Sequence, residues 1–234
     1  MALEGLKRAA ARHPALTRWL FGIKVPPGTG QGHWDFSTLA LFAELKERVE
    51  PGQRILELGT GETGTVSVAM ARRVRAQYLA LDIDEGALAS ARRVATANAV
   101  SVLFLQSDLL SAVPADQTFD LTFFNPPYVP RSLSAQWKAL GEPSRVWDGG
   151  EDGLDVIREF WIAAGERGGN LGTILMGFNR KSVSAKEVED LARARGFALI
   201  GTRRAVHPGT VHVFEAKGHA GRGLGVQELR GGYG

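Results

Sequence analysis

Four consecutive residues near the middle of the chain, Asn125-Pro126-Pro127-Tyr128, combine hydrogen-bond acceptors, a rigid backbone and a flat ring. The nitrogen of an amide or aromatic amine is a poor nucleophile because its lone pair is delocalised. If the Asn125 side-chain oxygen and the Pro126 carbonyl each accept one N–H, they orient this nitrogen and favour the positive charge that develops as it attacks a methyl group. Tyr128 would then stack on the flat substrate. We therefore predict all four residues, called the NPPY loop, to be catalytic.

The NPPY loop directly follows residues 119–124, Phe-Asp-Leu-Thr-Phe-Phe, which predict a buried strand. Each proline fixes its own φ and restricts the residue before it, so the loop is expected to be extended and rigid. A simple proline turn would not explain the flanking Asn125 and Tyr128. Rigidity at the end of a strand is what a positioned catalytic group requires.

A second pattern lies upstream, where residues 55–58, Ile-Leu-Glu-Leu, lead into Gly59-Thr60-Gly61-Glu62-Thr63-Gly64. These glycines satisfy G-x-G-x-x-G, and Asp82 follows near the spacing of a dinucleotide-binding fold, which keeps a nicotinamide-dependent reductase open. Glu57 favours a different ligand. A carboxylate before the first glycine disfavours a pyrophosphate but suits the ammonium of S-adenosylmethionine.

Three acids are predicted at the carboxyl ends of successive strands, where ligands of open α/β sheets bind. Glu57 would face the ammonium, Asp82 the ribose hydroxyls, and Asp108 the adenine amino group. S-adenosyl-L-methionine is therefore the predicted cofactor, and no metal is expected, because the chain has no cysteine and its five histidines are scattered. The predicted cofactor-binding residues are Glu57, Gly59, Thr60, Gly61, Asp82, Ile83, Asp108, Leu109 and Asn125.

The glycine loop, Asp82 and the NPPY loop lie within residues 53–128, and together they resemble the amino-methyltransferases that carry an Asn-Pro-Pro-Tyr motif. In that family the loop methylates glutamine amides or the N6 of adenine. Residues 142–154 resemble the stretch that follows this motif in the release factor glutamine methyltransferases (the HemK/PrmC family). The resemblance implies N5-methylation of a glutamine in the Gly-Gly-Gln loop of a translation release factor. Residues 25–36 lack the family's Pro-Arg-Pro-Glu-Thr stretch.

Alternating strand and helix patterns predict an α/β, Rossmann-like class I methyltransferase fold, with a seven-stranded, mostly parallel sheet, the last strand antiparallel, and helices on both faces. Strands are expected at 54–58, 78–81, 101–105, 121–124, 173–176, 197–201 and 211–215. Helices are expected at 64–74, 85–98, 152–165 and 184–195, with one or two short helices in 3–21 and another running from an N-cap at Ser37 or Thr38 to Pro51. Residues 1–50 would form an N-terminal helical arm and loop, 51–217 the methyltransferase domain, and 218–234 a flexible glycine-rich tail.

The chain carries a net charge of +3, with basic residues in local groups such as Arg72, Arg73 and Arg75. Such groups fit either a nucleic-acid surface or a solvated helix face, so an RNA or DNA adenine-N6 methyltransferase remains the alternative to a protein glutamine enzyme. A non-catalytic binding module on the same fold is a further reading. No apolar stretch reaches the length of a membrane span, and we expect a cytoplasmic protein whose partner is a macromolecular methyl acceptor.

Overall fold

The computed structural model describes residues 14–29, 34–138, 147–204 and 209–217. Its helices are α1 (Pro14–Phe21), α2 (Phe36–Arg48), α3 (Thr65–Ala71), α4 (Glu85–Ala97), α5 (Arg131–Lys138), α6 (Asp155–Arg167) and α7 (Ala185–Ala194), with a 3₁₀ turn at Gly168–Leu171. Its strands are β1 (Arg54–Leu58), β2 (Gln77–Asp82), β3 (Leu103–Gln106), β4 (Leu121–Phe124), β5 (Thr173–Asn179), β6 (Phe197–Arg204) and β7 (Gly209–Ala216).

The seven strands form one sheet in the order β3-β2-β1-β4-β5-β7-β6. Strands β1 to β5 pair in parallel with one another, whereas β7 is antiparallel to both β5 and β6. The strand order reverses between β1 and β4, and this is the crevice where open α/β sheets bind ligands. The predicted fold, including the antiparallel last strand, is confirmed.

Alternate residues of each strand enter two different hydrophobic cores, one on each face of the sheet. Ile55 and Phe123 pack with α2, α3 and α4 on one face. Leu56 and Phe124 pack with α6 and α7 on the other. The sheet is therefore covered on both sides, which explains why its central strands are short, apolar and without polar alternation.

Helix α2 begins earlier than the sequence predicted. Its N-cap is Asp35, whose side chain accepts the backbone N–H of Thr38 at 2.9 Å, while the Thr38 hydroxyl accepts the Asp35 backbone N–H at 3.2 Å. This reciprocal pair is a capping box, which satisfies two backbone donors at once. The predicted N-cap at Ser37 or Thr38 is therefore wrong, because both residues already lie in the first helical turn.

Several other helices and strands have bounds that differ from the predicted ones. Helix α6 starts at Asp155 rather than 152, because Gly153 adopts φ +87°, which a helix cannot contain. Strands β6 and β7 extend past their predicted ends because they hydrogen-bond to each other as a hairpin. Helix α5 was not predicted at all. Of the N-terminal prediction for residues 3–21, α1 is present and residues 1–13 lie outside the described part, as does the predicted tail at 218–234.

Candidate active site

The predicted site residues meet at one edge of the sheet. Leu58 of β1 lies opposite Leu81 of β2 and Phe124 of β4, so these three strands end at the same level. Gly59 and Asn125 directly follow β1 and β4, and Asp82 is the last residue of β2. Asp108 follows the end of β3, which pairs with β2 up to Asp82 and Gln106. Residues far apart in sequence are thereby brought to one crevice, as the spacing of the motifs predicted.

The glycine loop is held against the end of β2 by its own backbone. The N–H of Thr60 donates to the carbonyl of Leu81 at 2.9 Å, and the N–H of Gly61 donates to the Asp82 carboxylate at 2.8 Å. Gly61 has φ +66°, and a Cβ placed there would meet no atom within 4 Å. The backbone at Gly61 thus faces open space that a ligand can approach closely.

Glu57 is an acid buried at the end of β1, with 5% of its surface exposed. The hydroxyl of Thr60 donates to its carboxylate at 2.8 Å. Burial raises the pKa of Glu57 to about 7, opposed by hydrogen bonding from Ser67 and Thr60 and reinforced by the negative charge of Asp82. A buried carboxylate surrounded by neutral hydroxyls and a second acid fits a cationic ligand group, such as the ammonium of S-adenosylmethionine.

The outer part of the crevice combines carboxylates with apolar surface. The Asp84 backbone N–H donates to the second oxygen of Asp82 at 3.0 Å, so Asp82 is held at both oxygens. Ile83 next to it is 58% exposed and adds apolar surface beside these carboxylates. Asp108 is exposed, and Leu109 adopts φ +46° in the turn after β3. This composition suits a nucleoside, which presents hydroxyls and a flat apolar base.

The side-chain amide of Asn125 is held by the first turn of α2. The Ser37 hydroxyl donates to Asn125 Oδ1 at 2.8 Å, and Asn125 Nδ2 donates to the Thr38 hydroxyl oxygen at 3.1 Å. Asn125 remains half-buried rather than fully enclosed. An amide oxygen has two lone pairs, so the oxygen bound to Ser37 can accept one further N–H.

Tyr128 is held by the same helix end. Its hydroxyl donates to the carboxylate of Asp35, and only 4% of the residue is exposed. Burial, together with the negative charge of Asp35, raises the pKa of Tyr128 well above its usual value. The ring therefore offers little free surface in this arrangement, and stacking on a substrate stays a prediction that requires neighbouring side chains to move.

Comparison with known proteins shows what this part of the chain is similar to. A family model described as methyltransferase small domain matches residues 26–139. The release factor glutamine methyltransferase of Geobacter sulfurreducens is 34% identical over 136 residues, covering 55% of this chain and 46% of that protein. A putative protein N5-glutamine methyltransferase of Methanocaldococcus jannaschii is 35% identical over 106 residues, covering 45% of this chain and 51% of that protein.

Over about half of its length, the chain is similar to methyltransferases of the HemK/PrmC type. This confirms the resemblance inferred from the NPPY loop and residues 142–154. The chain spans about half the length of these curated relatives. A crystal structure of a methyltransferase from Pyrococcus furiosus superposes with a TM-score of 0.64 and 19% identity, covering 90% of this chain and 97% of that one, which shows the shared fold.

The HemK/PrmC-like segment after the motif packs directly on the NPPY loop. Residues 139–146 lie outside the described part, but from Trp147 onward the segment is seen. Val129 donates its N–H to the Trp147 carbonyl at 2.8 Å and accepts one from Gly149 at 2.9 Å. A Cβ at Gly153 would lie 2.6 Å from the Tyr128 carbonyl oxygen, so only glycine fits there. This segment therefore supports the NPPY loop through its backbone.

Three residues that contact the NPPY loop through their side chains, Asp35, Ser37 and Thr38, were not predicted to belong to the site. The signal that was available is the Asp-x-x-Thr spacing, because an acid three residues before a hydroxyl side chain is a capping pattern. That signal would have placed the helix start correctly. It would not have shown that the helix start meets the NPPY loop.

Two further features, a metal-binding cluster and a membrane-spanning helix, are absent from the described residues. No group of three or more His, Cys, Asp or Glu side chains is placed there to hold a metal ion. Among the same residues, no helix has the length and apolar character needed to cross a membrane.

Proposed function

We propose that this chain is an S-adenosylmethionine-dependent N-methyltransferase that methylates N5 of a glutamine in a protein such as a translation release factor. One observation carries the proposal. The amide of Asn125, fixed at both ends by α2, lies at the same sheet edge as the glycine loop and the buried Glu57. The relatives support S-adenosylmethionine as the cofactor and a protein glutamine as the acceptor.

In this proposal Glu57, Gly61 and Asp82 hold the cofactor, which supplies an activated methyl group when bound. Ile83 and Asp108 would contact the adenosine, and Gly59, Thr60 and Leu109 would shape the walls around it. In this proposal the Asn125 oxygen faces the acceptor. In the proposed division, residues 1–50 contain α2 and residues 51–217 contain the NPPY loop. The hydrogen bonds from the start of α2 to Asn125 and Tyr128 therefore join the arm to the domain.

The chain's own groups act by orientation. The oxygen of Asn125 and the carbonyl of Pro126 each accept one N–H of the acceptor amide, which turns the nitrogen lone pair out of conjugation and towards the methyl group. As the new N–C bond forms, positive charge develops on the nitrogen, and these two dipoles stabilise it. The displaced proton passes to water. No strongly basic side chain is required for this reaction.

The arginine groups give less support to the nucleic-acid alternative than their number suggests. Many of these side chains bind acceptors within the chain: Arg72 binds Asn98, Arg73 the Phe21 carbonyl, Arg92 Glu85, Arg93 the Gly28 carbonyl, Arg193 Glu189, and Arg203 Glu44. Arginines used in this way hold the fold together and contribute less to a surface that binds phosphates. A protein acceptor is therefore favoured, and we propose that the reaction takes place in the cytoplasm.

The experiment is methyl transfer from labelled S-adenosylmethionine to purified release factor, with the glutamine of its Gly-Gly-Gln loop intact or replaced by Ala. Ribosomal RNA is tested in parallel. Label in the intact release factor but not in the Gln→Ala acceptor supports the proposal. Label in RNA alone would replace it with the adenine-N6 alternative. Thermal shift with S-adenosylmethionine against NADH separates both from a reductase.

A further inference from the structure

We propose that Thr38, assisted by Ser37, is a positioning residue for the methyl transfer, because it fixes which edge of the Asn125 amide faces the acceptor. The proposal rests on the proposed function, because it concerns the same methyl transfer. The way in which Thr38 would act follows from the position of α2 against Asn125. An asparagine amide has one edge that accepts and one that donates. Only the accepting edge can hold the N–H of an incoming nitrogen, so a rotation of the amide by 180° would abolish the interaction.

Hydrogen counting at Thr38 decides the orientation. Its hydroxyl oxygen lies 3.1 Å from an oxygen of Asp35, a carboxylate that can only accept, so the single Thr38 hydrogen points there. The lone pairs of Thr38 then accept the Asp35 backbone N–H at 3.2 Å and one N–H of Asn125 at 3.1 Å. In this arrangement the atom of Asn125 facing Thr38 is its nitrogen.

Ser37 contributes the complementary half of the arrangement. Its single hydroxyl hydrogen is shared between two acceptors, Asp35 Oδ1 at 2.5 Å and Asn125 Oδ1 at 2.8 Å. One hydrogen cannot fully serve two acceptors, so Ser37 leaves the Asn125 oxygen only partly satisfied. An oxygen in that state is a ready acceptor for a substrate N–H. Thr38 therefore fixes the orientation of the Asn125 amide, and Ser37 leaves the amide oxygen able to accept a substrate N–H.

The amide has little freedom to escape these contacts by sliding. On its other side lies Gly177 of β5, where an added Cβ would sit 3.1 Å from Asn125 Oδ1 and 2.7 Å from the Leu41 side chain. Asn125 is therefore packed between α2 and β5, with rotation of the amide about its last bond as its main remaining freedom. That rotation is the motion that Thr38 controls.

The first test measures kcat and KM for Thr38→Val, which has the same shape but no acceptor, and for Thr38→Ser, which keeps the hydroxyl. We expect Thr38→Val to lower kcat by roughly 10- to 100-fold, as misplacement of a catalytic group does, with KM for S-adenosylmethionine changed less than about 3-fold. Thr38→Ser should restore most of kcat, and Ser37→Ala should lower it less than Thr38→Val does. Thr96→Val on α4, whose hydroxyl bonds only the Arg92 carbonyl among the described contacts, is the matched control.

A loss of thermal stability in Thr38→Val with kcat per folded molecule unchanged would overturn the proposal, since it would mean that Thr38 serves only the helix cap. A second test does not depend on the acceptor. The Asn125 side-chain NH₂ signals in a ¹⁵N spectrum should be protected from hydrogen exchange in the wild type and lose protection in Thr38→Val. Equal exchange in both proteins would refute the orientation mechanism, even if the wild type methylated no release factor and the proposed function had failed.

Discussion

The hydroxyl of Tyr128 donates its hydrogen to the carboxylate of Asp35, the residue that caps helix α2. One carboxylate thereby joins the start of a helix to the end of the NPPY loop, although the two residues are 93 positions apart. The NPPY loop is supported on a second side by residues 149–153, whose backbone packs against that of Tyr128. The catalytic asparagine of the proposal therefore sits on a loop held from two directions.

Tyr128→Phe should destabilise the protein by about 1.5–3 kcal/mol, because it removes a buried hydrogen bond to a charged group and leaves an oxygen of Asp35 without its donor. The measurement is urea unfolding at neutral pH. Tyr78→Phe is the matched control, since the Tyr78 hydroxyl donates to a neutral carbonyl, that of Val74, at 3.2 Å. Its expected loss is about 0.5–1.5 kcal/mol. Equal losses in the two variants would contradict the importance of the Asp35 contact.

Gly153→Ala tests the support given by the second segment. Gly153 and Gly196 have nearly the same backbone angle, φ +87° and +88°, so alanine is strained equally at both. Only at Gly153 does the new Cβ collide with another part of the chain, the Tyr128 carbonyl, whereas at Gly196 it meets nothing within 4 Å. We expect Gly153→Ala to lose roughly 1–3 kcal/mol more than Gly196→Ala in chemical denaturation, and to lower methyl transfer as well. Similar losses at both positions would show that the segment does not press on the NPPY loop.

Glu57→Gln should change how stability and cofactor affinity depend on pH. Because the folded-state pKa is about 7 and the unfolded value 4.5, the folded protein holds the proton more tightly. The resulting stability is complete below pH 4.5 and is lost as pH rises through 7. Glu57→Gln should therefore be more stable than wild type at pH 8, by up to about 3 kcal/mol, and similar at pH 4.

A cation bound beside Glu57 favours the ionised carboxylate, whereas the ligand-free protein favours the protonated form. Calorimetry should therefore show wild-type affinity for S-adenosylmethionine rising between pH 6 and pH 8. Glu57→Gln should bind more weakly at pH 8 and lose that dependence. The exposed Glu62→Gln in the same loop is the control and should behave as wild type. A wild-type affinity that is flat across this range would count against Glu57 as the partner of the ammonium.

His212 of β7 should make the protein sensitive to acid. It is 5% exposed between Phe178 and Phe214, and burial lowers its pKa to about 4, with Arg180 and Arg204 adding to that effect and Glu189 opposing it. A depressed pKa in a base means that stability is present above pH 6.5 and is lost as pH falls through 4. The loss attributable to His212 is about 3 kcal/mol by pH 4.

His212→Phe should remove that part of the acid dependence when unfolding is measured from pH 7 to pH 4. Phe178→Leu, which alters the same core without a titrating group, should lower stability by the same amount at every pH. If His212→Phe and wild type lose stability in parallel over this interval, the charge on His212 does not determine the acid response.

The sequence predicted the central elements best where several signals agreed. Strands β1 and β4 have the predicted bounds because each is apolar on both faces and is ended by glycine or proline. Strands β6 and β7 were predicted too short, since hairpin hydrogen bonds extend them into polar sequence that has no hydrophobic pattern. Helix α5 was missed for a related reason: its Leu133 is exposed, so it has little apolar periodicity to reveal it.

For the candidate site, the sequence predicted that its residues would meet at one edge of the sheet but not what surrounds them. Glu57, Asp82 and Asn125 lie at or directly after the carboxyl ends of parallel strands, and such strands bring these positions together by a general rule. Nothing in a single sequence says that Ser37 will lie against Asn125, 88 residues away, because that contact depends on how α2 packs over β5 and β7. The burial of Tyr128 has the same origin.

The most direct test of the account is mass analysis of the acceptor after reaction with wild type or with Asn125→Ala. We expect a single added methyl on the glutamine of the release factor Gly-Gly-Gln loop with wild type. We expect Asn125→Ala to form it at least about 100-fold more slowly while its affinity for S-adenosylmethionine stays within about 3-fold. Undiminished methylation of that glutamine by Asn125→Ala, or a methyl on another residue type, would contradict the account.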